Sequence, residues 1–102
     1  MKLEKIDAKG ERYAYDDKYI LEVWQVEDIN KGRKFEFYLT STESIYKMYM
    51  YGAPQYHPFT QKSYTKSEMI KMALGNVGDY IKAYEEETEA IEAALNDILM
   101  KK

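Results

Sequence analysis

The sequence predicts an α+β protein in which an antiparallel sheet of three to four strands packs against one long C-terminal helix. Two observations lead to this prediction. The first half of the chain is dense in aromatic and β-branched residues, as strands are. The last third instead repeats its apolar residues every three to four positions, which is the spacing of an amphipathic helix.

The size and composition indicate one globular domain. The chain has 102 residues, of which 45% are hydrophobic and 32% charged, so it can bury a modest single core. We expect a sheet region over about residues 1–51, an aromatic loop over about 52–64 and the helix over about 65–100. The absence of cysteine excludes disulfides, thiolate metal sites and catalysis by a thiol.

The sequence contains no segment that would direct the chain to a membrane. Its first fifteen residues, "MKLEKIDAKGERYAY", lack the apolar run of a signal peptide. No stretch approaches the roughly 18 apolar residues that a membrane span requires. We therefore expect a cytoplasmic protein.

Two β-rich runs, Tyr19–Val26 and Arg33–Thr40, predict a hairpin. The segment between them contains Asn30 and Gly32, which tolerate the positive φ that a turn requires. Apolar residues on both sides of the first run indicate a more central strand. The second run alternates, so that Phe35, Phe37 and Leu39 share one face. The other face carries Lys34, Glu36 and Thr40 together with Tyr38.

The next segment, "SIYKMYMYG", fits two structures. It reads either as a third strand ending at Gly52 or as a short helix capped by Thr42 or Ser44. Its tyrosines favour the strand. Near the N-terminus, "KLEKI" or "ERYAY" would add an edge strand.

The helix is predicted from about Lys66 to about Leu99. Thr65 and Glu68 have the spacing of a capping box, which marks a helix start. Two glycines interrupt the pattern: either Gly75 ends one helix and Asn76 caps the next, or one helix continues with or without a kink. The apolar rhythm keeps its phase across them, which favours a single helix. That rhythm comprises Ile70, Leu74, Val77, Ile81, Tyr84, Thr88, Ile91, Leu95 and Ile98.

The charges beside this apolar seam disfavour a coiled coil between two copies of the helix. With Leu74 at a heptad a position, Glu85 and Glu92 fall at e and Glu87 falls at g. Parallel and antiparallel pairing would both set acid against acid, whereas coiled coils place opposite charges there. The wide seam is instead typical of a helix that lies across a sheet.

The stretch "YKMYMYGAPQYHPFTQKSY", residues 46–64, holds five of the eleven tyrosines, both prolines and the only histidine. Tyrosine offers rigid, amphipathic contact area, and binding surfaces are rich in it. We therefore predict a protein-contact surface in this stretch. Alternatively, the loop folds over the open sheet face and its tyrosines form a minor second core. The candidate partner-binding residues are Tyr49, Tyr51, Tyr56, His57 and Phe59.

The negative charge is concentrated in the helix. Residues 1–64 carry ten basic and ten acidic residues, whereas Asp79–Asp97 contains seven acids and one lysine. Such a segment repels phosphate, so we expect no direct binding of nucleic acid. Glu85, Glu86 and Glu89 are candidate contacts for a cationic partner protein. The alternative is a solvated face that only maintains solubility.

No motif for catalysis, cofactor binding or metal binding is present. The sequence has no phosphate loop, dinucleotide fingerprint or nucleophile elbow. His57 is the only histidine, so a histidine metal cluster is excluded. An enzyme using His57 with a carboxylate is the least supported hypothesis, and we expect no catalytic residue and no cofactor.

These observations predict a small non-enzymatic protein-binding module. Its brevity is typical of accessory proteins of phages and mobile elements, which suggests an inhibitor or modulator of a host protein. The specific hypothesis is that the acidic helix face blocks a nucleic-acid-handling enzyme. The alternative is a homo-oligomeric structural protein, at simplest a homodimer, that assembles through the tyrosine-rich loop.

Overall fold

The chain folds into an antiparallel sheet with one long helix on one face. The computed structural model describes residues 2–5, 10–28, 32–57 and 60–100. The five strands of the main sheet follow one another in space in their chain order, each antiparallel to the next. They are β1 (Lys2–Lys5), β2 (Gly10–Ala14), β3 (Tyr19–Asp28), β4 (Gly32–Ser41) and β5 (Ser44–Pro54). A two-stranded sheet, β6 (Tyr56–His57) with β7 (Lys62–Ser63), and the helix α1 (Lys66–Met100) complete the α+β fold that the sequence predicted.

The main sheet has one strand more than the upper end of the predicted three to four. Both N-terminal segments form strands, β1 and β2, where the sequence indicated only one of them. Both are short, and three of the four residues of β1 and two of the five of β2 are charged, so their composition barely specifies a strand. Antiparallel pairing with a neighbouring strand stabilises each of them instead. This arrangement puts β3 in the centre of the sheet, as the apolar residues on both of its faces indicated.

The predicted hairpin of β3 and β4 is confirmed. Leu21 pairs with Leu39 and Val23 with Phe37, and all four side chains are buried on the same face. The predicted turn residue Asn30 lies outside the described residues. The alternation of apolar residues along β4 thus specifies which face of the sheet is covered by α1.

Strand β5 confirms the strand interpretation of residues 44–52 and extends beyond it. It ends at Pro54 rather than Gly52, because an edge strand tolerates a proline that cannot donate a backbone hydrogen bond. Its register against β4 shifts between Tyr49 and Tyr51, which marks a β-bulge at Met50. The predicted loop over residues 52–64 is thus partly regular, with its start in β5 and a short hairpin of β6 and β7.

Helix α1 is continuous from Lys66 to Met100. Its capping box forms as predicted. The Thr65 N–H donates to Glu68 Oε1 at 3.0 Å, and the Glu68 N–H donates to Thr65 Oγ1 at 3.2 Å. Gly75 and Gly78 do not end the helix. A Cβ at Gly75 would meet nothing within 4 Å, and one at Gly78 would lie 3.4 Å from the Tyr15 hydroxyl.

The main core lies between α1 and strands β3, β4 and β5. The helix residues at its centre are Ala73 and Val77, both fully buried. They keep the three-to-four spacing of an amphipathic helix, so each turn of α1 places apolar area on the sheet. The remaining buried side chains of α1 are Met69, Ile70 and Tyr84, and those of the sheet include Leu21, Val23, Phe35, Phe37, Leu39, Met48 and Met50.

The opposite face of the sheet carries a buried carboxylate. Glu22 lies in the middle of β3 and is fully buried although α1 covers the other face. Its carboxylate accepts hydrogen bonds from Trp24 Nε1 at 2.5 Å, Lys47 Nζ at 2.6 Å and Arg12 Nε at 3.4 Å. Burial alone would raise the pKa of Glu22. The hydrogen bonds from Lys47 and Trp24, with the charges of Lys47 and Arg12, outweigh burial and hold that pKa below its usual value.

Aromatic rings cover this carboxylate. The Lys47 ammonium lies 5.8 Å from the Trp24 ring centroid and 5.9 Å from that of Tyr38, within cation–π distance of both. The Trp24 ring rests on Gly10, where an added Cβ would come within 2.8 Å of the ring. Side chains of the sheet itself, rather than a second helix, therefore shield this face.

We predict that Glu22→Gln lowers the free energy of unfolding by about 1–3 kcal/mol at neutral pH, because two cations then lose their charged acceptor. Because the folded-state pKa lies below the unfolded value of about 4.3, this contribution is present above that value and is lost as pH falls through the folded pKa. Urea unfolding between about pH 3 and 7 measures it. The exposed Glu27→Gln is the control, and equal stability of both variants at pH 7 would contradict the prediction.

Substitutions of two glycines should act in opposite directions. Gly75→Ala should raise the free energy of unfolding by about 0.5–1 kcal/mol, because alanine is the better helix former and its Cβ meets nothing. Gly10→Ala should lower it, because the Cβ displaces the Trp24 ring from its place above Glu22. Thermal unfolding of the two variants beside the parent chain measures both effects. A Gly10→Ala variant as stable as the parent would show that the contact with Trp24 is readily relieved.

Candidate functional site

Helix α1 extends beyond the sheet that covers its first half. Its 35 residues span about 52 Å, whereas the ten-residue strands β3 and β4 span about 33 Å. The last buried side chain of the helix is Tyr84, and Thr88 is half-buried. Every residue from Glu89 to Met100 is exposed. We call residues 85–100 the distal helix.

The apolar seam continues along the distal helix without cover. Ile91, Leu95 and Ile98, which we call the apolar stripe, follow the same spacing as the buried residues of α1. Their exposed fraction rises from 40% at Ile91 to 54% at Leu95 and 68% at Ile98, so the described part of the chain covers them less and less towards the end of the helix. Leu99, with 67% of its side chain exposed, adjoins the stripe.

A groove separates the stripe from the beginning of β5. This distal groove has a volume of about 420 Å³. One wall is formed by α1 and the other by β5, and the lining residues are Thr88, Ile91, Glu92 and Leu95 of α1 and Ser44, Ile45, Tyr46 and Lys47 of β5. The Lys47 ammonium itself is paired with Glu22 at 2.6 Å. Ile45 is the most exposed large hydrophobic residue among the described residues. Isoleucines on both walls thus present apolar surface to solvent.

Tyrosines hold the helix at the point where it leaves the sheet. The Tyr84 hydroxyl donates to the Tyr46 carbonyl at 2.9 Å. The Tyr84 ring stacks on Tyr46 with centroids 5.5 Å apart and meets Tyr19 edge-on at 6.0 Å. These rings supply large apolar contact area, and their hydroxyl groups find partners, as buried tyrosines require. The base of the distal helix is therefore firmly placed.

Two acids of the distal helix are part of this anchor. The Tyr19 hydroxyl donates to Glu85 Oε1 at 2.9 Å, and the Tyr46 hydroxyl donates to Glu87. The hydrogen bond to Glu87, together with burial, raises the pKa of Tyr46 to about 12. Burial, followed by the bond to Glu85, raises the pKa of Tyr19. Glu85, a predicted contact residue, therefore also has a structural role.

The other acids of the distal helix face solvent. The predicted contacts Glu86 and Glu89 are exposed, and so is Glu92. No lysine or arginine occurs between Ala83 and Met100. The negative potential of this surface is therefore not neutralised by cations of the distal helix itself.

The predicted tyrosine surface is divided between the two faces of the sheet. Tyr49 lies on the face opposite α1, half-exposed and edge-on to Tyr38 at 5.4 Å. Tyr51 lies on the helix side, where it packs between Phe37 at 5.2 Å and Tyr80 at 6.4 Å. Residues two apart on a regular strand share a face, but the bulge at Met50 breaks this rule. Tyr49 and Tyr51 therefore do not form one surface.

The remaining predicted aromatic contacts lie at the small hairpin of β6 and β7. Tyr56 is exposed, whereas His57 is half-buried and meets the Tyr64 ring edge-on at 5.4 Å. Phe59 lies outside the described residues. Among the residues described, no group of three or more acidic or histidine side chains could hold a metal ion.

Two features of the site were not predicted from the sequence. The apolar seam was expected to lie on the sheet over its whole length, and Ile45 was not singled out at all. The seam spans residues 70–98, or about 44 Å of helix, whereas each β-rich run of eight residues spans only about 26 Å. This difference in length was the available signal that part of the seam would remain uncovered.

The described residues contain no helix that combines the length and the apolar character needed to cross a bilayer. Comparison of the chain with protein-family models, curated proteins and solved structures found no match. The function must therefore be inferred from the chain's own residues.

Proposed function

We propose that this chain is a small, non-enzymatic, cytoplasmic protein-binding module that presents its distal helix to a partner protein. The observation that supports this proposal is the uncovered apolar stripe. Ile91, Leu95 and Ile98 continue the core-facing side of α1 into solvent, on a helix whose base is fixed by tyrosines. Scattered apolar residues on a surface are ordinary, but an ordered row at helical spacing is typical of an interface.

The spacing of the stripe matches a common mode of recognition. Amphipathic helices bind grooves through anchors at positions i, i+4 and i+7, which here are Ile91, Leu95 and Ile98. A helix of about twelve exposed residues is only marginally stable in water by itself. Contact with a partner would cover the stripe and stabilise the distal helix at the same time.

The charge of the distal helix favours a cationic partner. Glu86 and Glu89 are exposed on a segment without basic residues. Cationic surfaces are typical of proteins that handle nucleic acids, so we propose that the module inhibits or modulates such a host enzyme. An accessory protein of a phage or mobile element is the setting that best fits this role.

Assembly of identical chains has less support. The acids beside the seam would oppose one another in a dimer, and the bulge in β5 divides Tyr49 from Tyr51. Tyr56 remains exposed but lies apart from both, at the small hairpin. We therefore treat a homo-oligomer as an outcome that the experiments below would reveal.

Site-specific crosslinking tests the proposed function. A photoreactive residue at position 95 should capture one dominant, nuclease-resistant partner protein from a lysate of the source cells. The same residue at position 72 is the matched control, because Met72 is an exposed apolar residue of the sheet-packed half of α1. Absence of an adduct from position 95 at low salt, or equal adducts from both positions, would refute a role for the distal helix.

Charge reversal tests the acidic surface. Glu86→Lys combined with Glu89→Lys should reduce the adduct from position 95, because it reverses the charge of the surface, without lowering Tm, since both side chains are exposed. Glu85 is left unchanged because its carboxylate accepts the Tyr19 hydroxyl. Asp17→Lys with Glu27→Lys makes the same change of net charge at exposed positions outside α1 and should leave the adduct intact. If the Glu86/Glu89 variant forms as much adduct as the parent chain, binding of the partner does not depend on these acidic side chains.

A further inference from the structure

The distal groove has two walls, and this geometry limits what can occupy it. The stripe residues Ile91 and Leu95 form one side, and the fully exposed Ile45 with Tyr46 forms the other. A flat partner surface would cover the stripe but leave Ile45 exposed. A rod-shaped element lying along α1 would contact both walls.

The two borders of the stripe differ chemically. By helical spacing, Glu85 and Glu92 lie along one border. Glu87, which accepts the Tyr46 hydroxyl, and Ala94 lie along the other, where the small side chain of Ala94 allows a neighbouring helix to approach closely. An occupant that matches both borders has an apolar face with cations along its flank.

A second copy of this chain does not offer the cations that the acidic border of the stripe requires. Pairing of two distal helices would bring Glu85 and Glu92 beside acids of the other copy, since the distal helix has no basic residue to offer. Partner choice between paired helices follows these flanking charges. The complementary helix therefore carries lysine or arginine where this one carries glutamate.

We propose that the distal groove binds an amphipathic helix of the partner protein, with its apolar face on Ile45, Ile91 and Leu95 and its lysine or arginine flank beside Glu92. This inference rests on the proposed function and names the element of the partner that is recognised. The helix would lie along α1 as its missing neighbour, and the apolar seam would then be covered over its full length.

A synthetic peptide tests this proposal without knowledge of the partner. The probe has three heptads with leucine at a and d and lysine at e and g, and the control peptide has glutamate at e and g. Fluorescence anisotropy of each labelled peptide with the full chain measures the Kd at low and moderate salt. We expect one lysine peptide to bind per chain and the glutamate peptide to bind at least about tenfold more weakly.

Variants of the chain show whether the peptide lies in the groove. Leu95→Ser and Ile45→Ser should each weaken binding about tenfold, because they remove apolar area from opposite walls. Met72→Ser, which removes an exposed apolar side chain elsewhere on α1, should leave the Kd unchanged. Glu92→Gln should weaken binding and reduce its salt dependence, whereas Glu27→Gln should do neither. Tm measurements verify that each variant is folded.

Three results would overturn the proposal. The first is equal binding of the lysine and glutamate peptides, and the second is binding that survives Leu95→Ser and Ile45→Ser. The third is a dimer of the chain in sedimentation that Leu95→Ser dissociates, since the occupant would then be a second copy. If position 95 captures a partner while the peptide fails, the protein-binding function stands and only the helical occupant is wrong.

Discussion

The apolar seam of α1 is longer than the sheet on which it lies, and the rest of the molecule follows from this difference. A helix rises about 1.5 Å per residue and a strand about 3.3 Å, so the 35-residue helix outruns strands of ten residues. The sheet removes the seam from water as far as Tyr84 and leaves Ile91, Leu95 and Ile98 exposed. Covering the whole seam within one small domain would require longer strands or a second helix. The described residues form neither longer strands nor a second helix, so the end of the seam remains as exposed apolar surface.

Tyrosine side chains fix the helix at the point where its covered half ends and its exposed half begins. At the edge of the core, an apolar ring can face the sheet while its hydroxyl group reaches a polar partner. The Tyr84 hydroxyl donates a hydrogen bond to the Tyr46 carbonyl. The Tyr19 hydroxyl donates to Glu85, and the Tyr46 hydroxyl donates to Glu87. Acids that would otherwise be purely solvating thus hold the helix in place. The aromatic content of the chain therefore contributes to the boundary of the core as well as to exposed surface.

The face of the sheet opposite α1 is stabilised by different means. A two-layer protein leaves one sheet face without a helix, and here that face is covered by its own long side chains. Glu22 sits at its centre with three donors, beneath the Trp24 ring and the Lys47 ammonium. Because the carboxylate is fully buried, its partners must stay in place, and this couples β2, β3 and β5. This cluster satisfies its own polar groups, whereas the distal groove leaves apolar area uncovered.

The α+β class, the β3–β4 hairpin and the capped start of α1 were determined by the sequence alone, which also favoured, without deciding, the continuity of α1 across Gly75. Each of these rests on local periodicity or on contacts between near neighbours, which a sequence displays directly. Only the tertiary structure decided which part of the seam is covered, because that depends on where the sheet ends. It also decided that the bulge at Met50 separates Tyr49 from Tyr51, and that Glu22 is buried among donors from three strands. These outcomes depend on long-range register, and a shift of one residue reverses which face of the sheet a side chain occupies.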